Sequence, residues 1–507
     1  MNMKKNSRLI ALLLIITINL IALYGCVASD NSDESYSFTI VSTETTTETT
    51  TENAETETTI EIVEEVKIPK YVFLFIGDGM GYPQIQTTSY AIGINEKLPF
   101  TTFPAVGTMT THNSKSTITD SASAITAMLT GYKTSHGTLN MNEKGNKTYT
   151  TIVEYIKDEL DYKVGIITSA ALNHATPAGT YAHQNSRKNY YQIGKNLIDS
   201  GFDFFAGGGF IDSTGKKGGN KSLYSVAKKA GFTIVRDKDG YNNLNSDTGK
   251  VIMLSERNVD DSYMPYDMDL ENGEWRLSDF VSKGIELLDN EKGFFMMVEG
   301  AKIDLANHEN DAATMIGETL AFSDSVNVAI EFYNQHPEET LIIVTADHES
   351  GGLTLGYAET KYKTNLDVLL KQKISFSKFK SDYLNKYIHG NVSFDVILED
   401  IEKNYGFIPD ENEIKKLNMA YIRSQQLGAM AASELTDEEY VDYGTYEPFS
   451  IVLSRIMNHR AGVDYTTYSH TGMPVPVYAL GYNCEKFIGS YDNTDIFNKL
   501  YEIMELK

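Results

Sequence analysis

Five apolar runs, each closed by a polar turn, set the architecture open to this chain. They are "YVFLFIGDGMG" (71–81), "KVGIITSAALNHATPAG" (163–179), "GFFMMVEGAKIDLANHE" (293–309), "TLIIVTADHESGG" (340–352) and "PVYALG" (476–481). None alternates polar with apolar residues, so none is suited to a sheet with one wet face. Runs of this kind read as strands buried on both faces, in a mostly parallel central sheet flanked by helices on both sides. The expected fold class is therefore α/β. In open sheets of this type ligands gather beyond the carboxyl ends of the strands. Asp78, Glu299 and Asp347 stand at or just past three of those ends, which brings three carboxylates to one sheet edge. Carboxylates crowded in this way suit cations.

Residues 361–460 break the pattern. "SFDVILEDIEKNY" (393–405) has helical spacing, and "PDENEIKKLNMAYIRSQ" (409–425) carries a cap signal ahead of Ile414, Leu417 and Tyr421. A mostly helical insertion is expected there, dividing one α/β domain into 70–360 and 461–507.

At the N-terminus, Lys4, Lys5 and Arg8 precede an apolar stretch over 9–25, the pattern of an export signal peptide covering 1–25. It ends in "LYGC", which resembles the lipobox of bacterial lipoproteins, although Tyr24 is bulkier than that pattern prefers. The resemblance implies a lipid on Cys26 and an exported, membrane-anchored protein at the cell surface or on the periplasmic side. Cys484 would then lack a disulfide partner, since the chain has two cysteines. Stability has to come from elsewhere, and bound metal is one source. Residues 26–69 contain "TETTTETTTENAETETTIE", too poor in apolar residues to offset the entropy of ordering, so a disordered tether is expected. The formal net charge of −25 leaves little basic surface for nucleic acid, and no nucleic-acid recognition is expected.

"TDSASAITAMLTG" (119–131) places Ser121 after Asp120 at the head of a helical run. A serine there is ordinarily a helix cap. A nucleophilic serine needs its proton removed, yet no histidine or lysine stands in triad spacing. Other residues offer a different route. Asp304 and His308 in "DLANH" are four apart, on one helical face. "TADHESGG" sets Asp347 beside His348, with Ser350, Gly351 and Gly352 allowing a turn, and "SHTGMPVP" places His470 ahead of a strand. Each alone reads as a satisfied polar residue. Together they are the ligand types of a hydrolytic zinc, with magnesium preferring the oxygen-rich position. A metal beside Ser121 would lower the hydroxyl's pKa, and no triad is then required.

"FIGDGMG", "TDSASAITAMLTG", "HATPAGTYAH", "EGAKIDLANH", "TADHESGG" and "HTG" occur in the order of the alkaline phosphatase family. The chain resembles that family from about Tyr71 to Lys507, the insertion apart. The resemblance implies two zinc ions and one magnesium ion. Asp304, His308 and His470 would hold the first zinc, and Asp78, Ser121, Asp347 and His348 the second. Asp78, Thr176 and Glu299 would hold magnesium. Arg187, in "QNSRKNYY", would clamp phosphate oxygens, with Asp120 orienting it. The implied activity is hydrolysis of small phosphate monoesters through a phosphoserine at Ser121, and relatives pair as homodimers. Three positions depart from the family pattern. Ile125 stands where a very small residue is preferred, His174 where many bacterial members have aspartate, and Leu305 where lysine or histidine is common. The last two are expected to weaken the third metal site, with His174 tuning it. Two alternatives compete: a phosphodiesterase of the same superfamily, and a tethered lipoprotein that binds phosphate. Arg187 and the separate magnesium set favour monoester hydrolysis.

Overall fold

The computed structural model describes residues 68–507, apart from 260–261, 391 and 428–434. The expected signal peptide, Cys26 and the tether up to residue 67 lie outside the described residues. The strands in chain order are β1 (Tyr71–Ile76), β2 (Ala105–Thr110), β3 (Lys163–Thr168), β4 (Phe204–Gly207), β5 (Thr233–Val235), β6 (Val251–Leu254) and β7 (Phe294–Glu299). They continue with β8 (Thr340–Thr345), β9 (Glu349–Ser350), β10 (Leu353–Leu355), β11 (Val463–Tyr465), β12 (His470–Thr471), β13 (Val475–Gly481) and β14 (Gly489–Asp492). Ten of them form one sheet in the order β14-β2-β13-β8-β1-β7-β3-β4-β6-β5.

The apolar runs become the centre of that sheet because every residue of β1, β7 and β8 is buried. On one face Tyr71 and Phe73 meet Phe332, and Phe75 meets Phe322, both from the helix Ala312–Tyr333. The helices Ile152–Leu160 and Ala175–Ala178 also pack against β3. Register aligns the strand ends: Ile76 pairs with Glu299 and Thr345, and Glu299 with Thr168. Four neighbouring strands thus stop at one level, where the carboxylates begin.

The run "PVYALG" is not one of the parallel strands it resembles. β13 runs antiparallel to both β2 and β8, the only strand of the ten to do so. The reason is its approach: His470 already sits at the carboxyl edge, and β13 begins five residues later with no crossover between them. A strand starting there can only run back across the sheet.

Between β10 and β11, which pair with each other, the chain is mainly helical, with Phe394–Tyr405, Glu411–Leu427 and Pro448–Ala461 its longest helices. Leu417 and Tyr421 are buried there.

Ile125 finds its room at a glycine. A Cβ on Gly179 would lie 2.4 Å from Ile125 Cγ2 and 2.5 Å from Cγ1. Gly179 has φ −60°, so space and not backbone conformation demands it. We expect Gly179→Ala to cost about 1–3 kcal/mol by overpacking. Combined with Ile125→Ala it should cost less than the sum of the two single changes, measured by denaturant unfolding. Simple additivity would show that the two sites do not share this volume.

Candidate active site

The first carboxylate reaches the site through a glycine turn. After β1 the chain passes through Gly77, Asp78 and Gly79, and Gly79 adopts φ +73°. A Cβ there would also lie 2.8 Å from Ser350 Cβ and 2.9 Å from Asp304 Oδ1, so glycine is needed for conformation and for space. Gly79 N–H then donates to Asp347 Oδ1 at 3.2 Å, tying the ends of β1 and β8 together.

Ser121 is the first residue of the helix Ser121–Thr130 and not its cap. Asp120 is the cap: its Oδ1 accepts from Ser123 N–H at 3.2 Å and from Ser123 Oγ at 2.6 Å. The Ser121 hydroxyl is thereby released from local duty. Its Oγ lies 3.5 Å from Asp78 Oδ2 and 3.4 Å from His348 Nε2. His348 Nε2 is itself 3.3 Å from Asp78 Oδ1 and 3.3 Å from Asp347 Oδ2.

A second cluster adjoins the first. His308 Nε2 lies 3.2 Å from Asp304 Oδ2 and 3.2 Å from His470 Nε2, and His470 Nε2 lies 3.7 Å from Asp304 Oδ1. His308 Nδ1 donates to the Tyr468 carbonyl at 2.6 Å, and His470 Nδ1 to the Thr119 carbonyl at 2.9 Å. Each such bond assigns a proton to Nδ1 and turns the Nε2 face toward Asp304, the orientation that metal-ligating histidines adopt. His348 stacks on His470 with ring centroids 3.6 Å apart and joins the two clusters.

The third group is Asp78, Glu299 and His174, whose ligand atoms lie within 4.8 Å of one another. Thr176 Oγ1 donates to Asp78 Oδ2 at 3.4 Å, and Thr168 Oγ1 donates to Glu299 Oε2. His174 has a second contact. Its Nε2 accepts from Arg187 Nη2 at 3.1 Å, while Arg187 Nη1 donates to Asp120 Oδ2 at 3.1 Å. Arg187 is thus braced from both sides.

Every site residue expected from the sequence lies in this one region. Sequence reasoning missed Thr168 and the carbonyls of Thr119 and Tyr468. Thr168 was open to discovery, because it ends a strand in register with Glu299. The carbonyls were not, since every residue has one.

The donor set fits cations. Asp78 Oδ1, Glu299 Oε1, Asp304 Oδ1 and Asp347 Oδ2 are buried and receive no hydrogen bond from the described residues. Burial, then the charges of Asp347 and Asp304, holds Asp78 well above the ordinary carboxylate range. Asp347 is pushed up to about 8 by burial and then by Asp304. Burial lifts Glu299 to about 7. His308 moves as the same field requires: burial lowers it, but the adjacent Asp304 carboxylate prevails and raises it to about 9. With no ion bound, Asp78, Asp347 and Glu299 keep protons that ordinary carboxylates would release, and divalent ions would take the place of those protons as balancing positive charge. Asp120 behaves differently. Burial would raise it, but Arg187 and the donors from Ser123 and Gly137 hold it at about 2, so its pairing with Arg187 persists throughout the neutral range.

Comparison with known proteins agrees with this geometry. The family model described as alkaline phosphatase matches residues 69–506. Alkaline phosphatase 4 of Bacillus subtilis is 30% identical over 456 residues, covering 86% of this chain and 88% of its own. The crystal structure of a cold-active alkaline phosphatase from a psychrophilic Shewanella superposes with a TM-score of 0.72 at 26% identity, over 86% of this chain and 99% of that one. The alkaline phosphatase of the Antarctic bacterium TAB5 gives 0.60 at 26% identity, over 87% of this chain and 100% of that one. Variants of the TAB5 enzyme with a histidine changed to glutamate or aspartate hold magnesium in the site named M3. A phosphate-binding lipoprotein without catalysis is thereby set aside: with buried carboxylates and histidines gathered beyond the strand ends around a serine, the chain belongs to the alkaline phosphatase family, enzymes that hydrolyse phosphoesters.

Proposed function

We propose that this enzyme is a metal-dependent phosphomonoesterase that works through a phosphoserine at Ser121. The observation that carries this reading is the position of Ser121 Oγ, within 3.5 Å of Asp78 and His348 while Asp120 takes over helix capping. His348 is a poor general base, because burial and then His470 hold its imidazole well below the ordinary range. Its Nδ1 also lacks a hydrogen-bond partner to fix its tautomer. A ligand role suits it better.

Asp304, His308 and His470 would hold one zinc ion; Asp78, Ser121, Asp347 and His348 a second; and Asp78, Thr176 and Glu299 a magnesium ion. Ions so held supply positive charge that lowers the serine hydroxyl's pKa and stabilises charge on the transferring phosphoryl group. Arg187, braced by Asp120 and His174, keeps further N–H groups for two phosphate oxygens. Ser121 Oγ attacks phosphorus in line, and the bond to the ester oxygen breaks as the alcohol leaves with a proton. Water then attacks the phosphoserine, releasing phosphate and restoring the hydroxyl. Arg187 favours a monoester, whose terminal oxygens match its planar fork, over a diester.

Ser121→Ala should lower kcat by about 100-fold or more, with residual turnover from the remaining site. Acid-quenched labelling of the wild type should place phosphate on Ser121. Label on another residue would refute the assignment.

Metal removal should lower the melting temperature and make it fall with rising pH. Asp347 and Glu299 have ordinary values of 3.8 and 4.5 and folded values of about 8 and 7. Between pH 4 and 8 the metal-free native state therefore binds more protons than the unfolded chain, so its stability declines as pH rises through this window. Metal-loaded enzyme should not show this decline, because bound ions keep the carboxylates ionised and stabilise the native state. Parallel thermal melts from pH 5 to 8 test it.

The neutral imidazole of His174 suits magnesium poorly, since that ion prefers oxygen ligands. His174→Asp should reduce the magnesium needed for half-maximal activity. An unchanged magnesium titration would assign His174 to positioning Arg187 alone.

A further inference from the structure

A cavity of about 420 Å³ lies beside the helix Lys302–His308, which carries Asp304 and His308, and is lined in part by the helical insertion. Leu305, next to the ligand Asp304, is part of its wall, as are Val259, Tyr263, Tyr266 and, from the insertion, Tyr446. One ring contact joins the cavity to the candidate phosphate site. The Tyr263 ring lies 5.9 Å from that of His174, which in turn holds Arg187.

The charged groups of the wall are matched internally. Arg257 donates to both oxygens of Glu274 at 2.8 and 2.7 Å and to the Asp269 carbonyl at 2.9 Å. Lys302 Nζ donates to the Met264 carbonyl at 2.7 Å and sits 3.7 Å from the centre of the Tyr266 ring. Lys378 Nζ is 3.1 Å from Asp382 Oδ2. Glu309 accepts from Ser377 Oγ at 2.9 Å and Tyr266 OH at 3.1 Å, and Asp269 from Ser375 N–H at 3.0 Å. A second anionic group on the substrate would meet cations whose charge is already offset by neighbouring carboxylates, and carboxylates that repel it. Flat, uncharged matter meets tyrosine rings and Leu305 at no such cost, and the volume is that of a small-molecule site.

We infer that this cavity receives the alcohol portion of the substrate and selects monoesters whose alcohol carries a flat, uncharged ring. The inference rests on the phosphomonoesterase reading above. It also gives Leu305 a role: where a lysine or histidine would put a polar head at the cavity mouth, leucine keeps it apolar.

The test compares kcat/KM for a nucleoside 5′-monophosphate, phenyl phosphate and glycerol phosphate in metal-loaded wild type, Tyr446→Ala, Tyr446→Phe and Tyr263→Ala. The wild type should prefer at least one ring-bearing ester over glycerol phosphate, and which one shows how far the ring stands from phosphorus. Each alanine variant should lose about tenfold on the preferred ester, mainly through KM, with little change on glycerol phosphate. Tyr446→Phe should retain the preference, because the ring and not the hydroxyl makes the contact. A wild type that shows no preference, or a preference unchanged in both alanine variants, would overturn the inference while leaving the phosphatase reading intact. Absence of turnover on all three esters would overturn that reading and this inference with it.

Discussion

Asp78, Glu299, Asp304 and Asp347 occupy one buried region, and holding four carboxylates out of water is the constraint on which the surrounding structure depends. A pair of unit charges 4 Å apart interacts by about 4 kcal/mol at an effective dielectric near 20. Several such pairs rival the whole stability of an ordinary domain, about 5–15 kcal/mol. Loops alone could not hold them. Asp78, Glu299 and Asp347 are held because β1, β7 and β8 are buried along their full lengths and stop in register, while Asp304 is held by the helix Lys302–His308 that follows β7. Carboxylates gathered in this way are a donor set that divalent cations fit. His308 and His470, each turned inward by a backbone carbonyl, complete a donor set that suits zinc better than the harder ions.

Around this centre the chain divides its labour. Asp120 caps the helix of Ser121 and pairs with Arg187, so one carboxylate leaves the Ser121 hydroxyl free of capping and braces the guanidinium. His174 takes the other side of Arg187 while standing beside Asp78 and Glu299. A change at that position therefore reaches Arg187 as well as the two carboxylates. The helical insertion contributes no ligand of the three expected sets, but it walls the cavity beside Asp304. The candidate site thus belongs to the sheet edge, and part of the wall of the neighbouring cavity belongs to the helical insertion.

Much of the site is legible in the chain because strand ends are. An apolar run closed by Asp or Glu announces both a buried strand and a carboxylate at its end, and β1, β7 and β8 are of this kind. Strands β2, β4, β5, β6 and β14 pass unnoticed, since they are three to six residues long and their burial depends on neighbours far away in sequence. β13 has the composition of a parallel strand yet runs the other way, because direction comes from where the chain enters the sheet and not from which residues compose it. Ile125 looks like a misfit until Gly179, 54 positions away, is seen to leave space for it.

The amino-acid sequence by itself determined the class of fold and marked the carboxylates, histidines and serine that the fold gathers, because each rests on local features: apolar runs, residues four apart on a helix, carboxylates at turns. Only the tertiary structure decided that Asp120 and not Ser121 caps the helix, that His174 braces Arg187, and that two carbonyls aim two imidazoles. It alone encloses the cavity between Tyr263, Leu305 and Tyr446. These depend on distances between segments that share no sequence signal, and such distances exist only once burial of the sheet has brought the segments together.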